Sequence, residues 1–210
     1  MPSYEWLRQT FEQLDYVDHV EFNGSLITLT RRELPAVRLG VLTTPDVTAT
    51  LAAELADEIG PFDFMMNTPK TGRFMGDAIS YCEERGVGWG GVGDAMRALR
   101  YQNPGDYVNR ELDFILRGLS QHHQVLATRL LDDRRVFVDR RGLKPLVLYI
   151  GSEYQPTADS VRSAIGRYGE FDVYAATNPN SDPTSEAIEV GDRAGIPVIK
   201  WGAVLSMLRQ

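Results

Sequence analysis

Apolar positions along the chain fall into a short series of periods, and the series is read twice. Near the start Trp6, Leu7, Phe11 and Leu14 recur at helical spacing, as do Leu112, Ile115, Leu116 and Leu119 past the midpoint. Alternating runs follow each helix. Residues 17–22 and 26–30 flank Asn23-Gly24, the strongest short hairpin signal, and residues 125–131 and 136–138 flank Asp132-Asp133-Arg134. Third strands are expected at 37–42 and 146–150. Thr44-Pro45-Asp46 predicts a helix start with proline in the first turn. That helix carries Val47, Leu51, Leu55 and Ile59 on one face and stops at Gly60, a residue suited to a helix end. Its counterpart runs from about Pro156, through Val161, Ala164, Ile165 and Tyr168, to Gly169. A fourth strand (62–66; 171–176), a helix (77–85; 186–194), a short strand (87–92; 197–201) and a last helix complete each half.

The doubling is visible in the residues themselves. When residues 1–100 are laid over 110–209 without a gap, Leu7-Arg8 falls on Leu116-Arg117 and Arg31-Arg32 on Arg140-Arg141. Gly60, Phe62 and Asp63 fall on Gly169, Phe171 and Asp172, and Gly86 falls on Gly195. A repeat of this length is domain-sized, too long for a solenoid unit. Two domains are therefore expected, 1–103 and 108–210, joined by a turn at Asn103-Pro104-Gly105. Each has the order α-β-β-β-α-β-α-β-α. The early strands should form a meander, and the later, helix-linked strands should pair in parallel, so the fold class is α/β with mixed sheets. Duplicated units commonly keep a self-complementary face, so an intramolecular pseudo-dimer is expected.

Composition narrows the chemistry. A net charge of −7 gives no global attraction to nucleic acid or an anionic membrane. The single cysteine, Cys82, excludes an internal disulfide and a cysteine-based zinc cage. No apolar stretch approaches the ~20 residues of a membrane span, and no basic, then apolar, leader opens the chain. A cytoplasmic protein with no membrane partner is the expectation.

The order of each half contains the αβββαβ core of the restriction-endonuclease-like, or PD-(D/E)xK, superfamily. The segment from Ala187 to Leu208, in which small residues lead through Gly195-Ile196 to a short strand and a Leu-rich helix, resembles the closing segment of Mrr-like endonucleases. Residues 78–99 repeat it more loosely, and the end of strand four bearing Thr177 is also similar. The resemblance implies an acid on the second strand and an acid-x-lysine pair ending the third, which together hold Mg²⁺ and position a water. In the first half the matching strands offer Thr28, Thr30 and 38–44, with neither carboxylate nor lysine. In the second, Asp139 ends the second strand and Glu153 lies beyond the third, but no lysine stands two residues past an acid; Lys144 precedes the strand and Lys200 lies on the last one. The reading is therefore a descendant without catalysis, metal or cofactor. It would bind or scaffold a protein or nucleic acid partner in a DNA-associated or defence setting. Two alternatives stand beside it: a Mg²⁺-dependent nuclease using Asp139, Glu153 and Lys200, and a Rossmann-like nucleotide sensor near Thr43-Thr44, Asn67, Ser152 and Thr177.

Local charge gives one candidate nucleic-acid face. Between Thr128 and Lys144, six basic residues (Arg129, Arg134, Arg135, Arg140, Arg141, Lys144) outnumber three acids (Asp132, Asp133, Asp139). The repeated pairs Arg31-Arg32 and Arg140-Arg141 allow either phosphate contacts or ion pairs with the equally repeated Asp63 and Asp172, and the need of a buried carboxylate for a partner favours the ion pairs. Gly88-Trp-Gly-Gly-Val-Gly93 satisfies a dinucleotide fingerprint but follows a helix instead of a strand, which removes its mechanism. His19, His122 and His123 are too few and too poorly spaced for a metal site.

Overall fold

Residues 4–180 and 182–209 are described by a computed structural model, and the chain divides into two compact units, Met1–Asn109 and Arg110–Gln210. The first runs α1 (Tyr4–Glu12), β1 (Val17–Asn23), β2 (Leu26–Arg31), β3 (Leu34–Leu42), β4 (Asp46–Val47), α2 (Ala49–Ile59), β5 (Phe64–Asn67), β6 (Arg73–Phe74), α3 (Gly76–Glu83), β7 (Gly88–Gly91) and α4 (Val92–Ala98), ending in a 3-10 turn at Pro104–Asp106. The second runs α5 (Arg110–Ser120), β8 (Val125–Leu130), β9 (Arg135–Arg140), β10 (Leu146–Gly151), α6 (Ala158–Tyr168), β11 (Val173–Ala176), α7 (Ser185–Ala194), β12 (Val198–Lys200) and α8 (Trp201–Met207). The protein is mixed α/β, with eight helices among the described residues. None of them is long and apolar enough to cross a membrane.

Each unit holds one five-stranded sheet, ordered β1-β2-β3-β5-β7 in the first and β8-β9-β10-β11-β12 in the second. The first three strands of each are antiparallel and the last three parallel. Registers agree as well: Leu39 faces Phe64 as Leu148 faces Val173.

Alternation along the third strand separates the faces of the first unit. Val37, Leu39 and Val41 are buried with Leu7 and Phe11 of α1 and with Ala95, Ala98 and Leu99 at the end of α4. Gly40 points the other way, where a Cβ would meet Leu55, Ile59 and Phe62 on the α2 side. Helices thus cover both faces of the sheet. Full burial of side chains such as Phe11 and Leu7 stabilises by roughly 1.5–3 kcal/mol each. Cys82 is buried on α3, its sulfur 4.0 Å from that of Met65.

Two sequence expectations change here. The helix after the third strand does not start at Pro45: Thr48 is its N-cap and accepts from the Leu51 amide at 3.4 Å. Asp46–Val47 instead extends to pair with Arg73–Phe74, and Asp46 Oδ1 accepts from Arg73 Nε at 2.6 Å. Nor do the repeated arginines and aspartates form ion pairs with each other; Arg31, Arg140, Asp63 and Asp172 bind backbone instead. Arg31 Nε donates to the Pro35 carbonyl at 2.7 Å, and Arg140 Nε to the matching Lys144 carbonyl at 2.8 Å. Asp63 Oδ2 accepts from the Arg38 amide at 2.7 Å, and Asp172 Oδ2 from the matching Val147 amide at 2.6 Å. Arg31 also donates to the carbonyls of Leu99 (2.8 Å), Tyr101 (2.6 Å) and Gln102 (3.1 Å), tying the hairpin to the end of α4.

A buried group that loses its donor keeps its desolvation penalty of ~1–3 kcal/mol. Arg31→Ala strands four carbonyls, so it should lower unfolding free energy by about 3–5 kcal/mol, against about 1–2 for Arg140→Ala. Denaturant unfolding followed by circular dichroism measures both, and equal losses would contradict the assignment.

Candidate functional site

The second unit gathers polar side chains where β10 and β11 end and β9 begins. They arrive from four elements: Glu111 from the first turn of α5, Asp132–Arg135 from the start of β9, Ser152 and Glu153 from beyond β10, and Thr177 from beyond β11. The second strand runs antiparallel to the third, so its beginning meets the third strand's end; Arg135 faces Tyr149, and the Ile150 amide donates to the Arg134 carbonyl at 2.8 Å.

Arg134 is the hub. Its Nη1 donates to Ser152 Oγ at 2.9 Å and lies 4.0 Å from Glu111 Oε2. Burial pulls this guanidinium down, but Asp133, Tyr149 and Glu111 overcome that and hold it above its ordinary value. The Thr177 hydroxyl donates to the other Glu111 oxygen and lies 3.0 Å from the Gly151 carbonyl. Asp132, wholly buried, accepts from the amides of Arg134 (2.9 Å) and Arg135 (2.7 Å) and from Arg135 Nε (2.8 Å). Its neighbour Asp133 is half-buried as a residue, yet its Oδ1 is sealed from solvent with no hydrogen-bond partner. Burial pushes the Asp133 carboxyl up to about 7, with Arg134 opposing and Asp132 adding to the rise.

Tyrosines wall the cluster. Tyr149 packs against Tyr168, Phe171 and Tyr174 with ring centroids 5.1, 5.1 and 5.0 Å away. The Tyr174 hydroxyl donates to Glu153 Oε2 at 2.8 Å; burial and that carboxylate raise its pKa. Burial, Tyr168 and Glu153 do the same for Tyr149. The matching residues of the first unit are Gly40, Ile59 and Met65, so the second unit has exchanged apolar bulk for three phenols. That exchange is the sequence signal that would have located this cluster.

The three residues of the nuclease alternative are not brought together. Asp139 lies opposite Ala127, beyond the point where Val138 faces Leu146, at the start of β10. Glu153 is seven residues further along, past the other end, roughly 20 Å away at strand rise. Asp132 and Asp133, which in the sequence look like turn residues, precede the start of β9 and so share Glu153's edge of the sheet. Lys200 faces Ala176, which faces Gly151, so it shares Glu153's edge of the sheet but stands two strands away. There it pairs with Asp182 at 2.9 Å, both side chains more than half exposed. Among the described residues no three His, Cys, Asp or Glu side chains are placed to hold a metal ion.

The basic candidates scatter. Arg31 and Arg140 are buried on carbonyls, which removes them from a phosphate-binding face. Arg134 and Arg135 belong to the cluster, and Arg32 pairs with Asp18 at 3.1 Å. Arg129 lies over the Phe137 ring, 5.4 Å from its centroid, and with Arg141 and Lys144 is exposed. In the first unit the nucleotide-sensor residues bind one another. Thr43 and Thr68 share a 2.8 Å hydrogen bond, and the Asn67 side chain clasps the amide and carbonyl of Thr44 at 3.2 and 2.9 Å. Gly88–Gly91 form β7 and precede α4.

Comparison with known proteins gives no match to a family model, to a curated protein or to a solved structure.

Asp133 makes stability depend on pH. The unfolded carboxyl titrates near ~4. Between there and about 7 the folded chain holds a proton that the unfolded chain has lost, so stability falls as pH rises across that window. Asp133→Asn should match wild type near pH 4 and exceed it at pH 8 by on the order of 2 kcal/mol. Denaturant midpoints at both pH values measure this, and a pH-independent difference would refute the assignment.

Proposed function

We propose that the chain is a tandem pair of restriction-endonuclease-like, Mrr-like units of the PD-(D/E)xK superfamily that no longer hydrolyse phosphodiesters. In this reading it acts as a cytoplasmic binding or scaffolding module in a DNA-associated or defence system. The order α-β-β-β-α-β in each unit supports the lineage: α1-β1-β2-β3-α2-β5 and α5-β8-β9-β10-α6-β11, the short β4 aside.

The observation that carries the loss of catalysis is Arg134. A hydrolase of this kind needs carboxylates from the second and third strands to share a divalent cation. Here the chain's own guanidinium stands between Glu111 and Ser152 and beside Asp133, while Glu153 is taken up by the Tyr174 hydroxyl. A monovalent side-chain cation satisfies the acids but offers no coordination site for a water. The first unit has moved further, with Thr43, Thr44, Asn67 and Thr68 at the matching strand ends.

Purified full chain titrated calorimetrically with Mg²⁺ or Mn²⁺ should show no stoichiometric binding, and plasmid DNA incubated with either metal should stay intact. Cleavage that disappears in Glu153→Ala would overturn the proposal.

A further inference from the structure

β8 is an outermost strand of the second sheet, and its ladder with β9 shows which of its backbone groups face away. The Leu131 amide donates to the Arg135 carbonyl at 2.9 Å, and Leu130, Arg129 and Thr128 then lie opposite Val136, Phe137 and Val138. Bonded and unbonded pairs alternate in an antiparallel ladder. Arg129 therefore bonds β9, while Thr128 and Leu130 turn their amides and carbonyls outward. Apolar side chains stand beside them: Leu126 is 53% exposed, and Ala127 is exposed as well.

The matching strand of the first unit is guarded. β1 exposes Asp18, His19 and Glu21, and charged side chains on an outermost strand discourage another strand from adding to it. Arg8 of α1 also donates to the Val20 carbonyl at 3.3 Å. Val20 faces Leu29 as Thr128 faces Val138, which puts those two carbonyls in equivalent places. Arg117, the counterpart of Arg8, pairs instead with Asp113 of its own helix at 2.8 Å. β8 itself reads Val-Leu-Ala-Thr-Arg-Leu, with Arg129 as its one charge, and that guanidinium lies over the Phe137 ring of its own sheet. Both guards are missing.

We propose that β8 pairs antiparallel with β8 of a second copy of this chain, about a two-fold axis at Thr128, so that the two five-stranded sheets become continuous. Self-complementarity selects a second copy as the occupant. Bonded pairs form between outward-facing residues, here Thr128 and Leu130. Setting Thr128 against Leu130 of the partner subunit would oppose Arg129 to Arg129 of the partner subunit, and like charges directly opposite are destabilising. Setting Thr128 against Thr128 of the partner subunit opposes Arg129 to the partner's Ala127 and Leu126 to the partner's Leu130. Antiparallel pairing also keeps the two exposed Arg141 side chains apart, since each follows the Arg140 that faces Val125 at the start of β8. A two-fold contact of this kind closes on itself and gives a dimer, not a filament. The inference stands on the comparison of the two outermost strands and is independent of the lost-nuclease reading.

Sedimentation equilibrium of the full chain should show monomer and dimer exchanging in the micromolar range, as suits a contact at the low end of interface size. Thr128→Pro should abolish the dimer and leave the chain folded by circular dichroism, because an outward amide on an outermost strand has no bond within the chain to lose. Leu126→Asp, which sets a carboxylate against the partner's Leu130, should weaken association by about tenfold. Mild oxidation of Thr128→Cys should give a disulfide-linked dimer, since this register alone brings position 128 of both copies face to face. The chain's own thiol, Cys82, is buried and does not compete. Val125→Cys, at the end of the strand, should stay monomeric under the same oxidation. A monomer at every concentration, a Thr128→Pro chain that unfolds or still dimerises, or a Thr128→Cys chain that does not cross-link would each overturn the proposal.

Discussion

A carboxylate at the entry to the fourth strand bonds a backbone amide of the third. Asp63 and Asp172 each accept from an amide of the neighbouring strand, and their own amides donate back at 2.8 Å. A charged acceptor on a backbone donor is among the stronger hydrogen bonds, and together with the return amide-to-carbonyl bond it fixes the register of a parallel pair. Everything else in each unit is referred to that register. It aligns the strand ends on which Thr68 and Thr177 sit, where both amides reach back to the third strand, at 3.0 and 2.9 Å. It also aligns the opposite edge, where the helices end in Gly60 and Gly169. Among the residues kept in both halves, Arg31/Arg140 and Asp63/Asp172 are those whose side chains tie one stretch of backbone to another.

Around that retained frame the two units have filled their interiors differently. Where the first has Gly40 beneath Leu55, Ile59 and Phe62, the second has Tyr149 stacked among Tyr168, Phe171 and Tyr174. Phenols bring hydroxyls that need partners when buried, and Glu153 supplies one of them. The same exchange surrounds Asp133 with low-dielectric material, which explains its preference for a proton. Polar specialisation in the second unit and apolar packing in the first are thus two fillings of one frame.

Most elements were legible because period and turn chemistry agree along the chain. Asn23-Gly24 gave the first hairpin, and Gly24 adopts the positive φ of 58° that such a turn requires. Two-residue strands have no period, so β4 and β6 were invisible, and the pairing of Asp46 with Arg73 displaced the expected helix start. The site was harder to read for a geometric reason. Which edge of a sheet a strand-end residue occupies depends on strand direction, so Asp139 and Asp133, six positions apart on one strand segment, lie at opposite edges. Arginines were legible as charge but not as structure, since nothing in a sequence says that Arg31 will spend its donors on carbonyls.

Cys82 is the chain's only thiol and lies in the interior of the first unit, where burial, aided by Glu83, pushes its pKa up to about 12. Thiolate, the reactive form, is scarce in such a setting. Alkylating reagents will therefore meet it only when α3 lifts away, which makes its labelling half-life a clock for opening of that unit. No thiol in the other half competes for the signal.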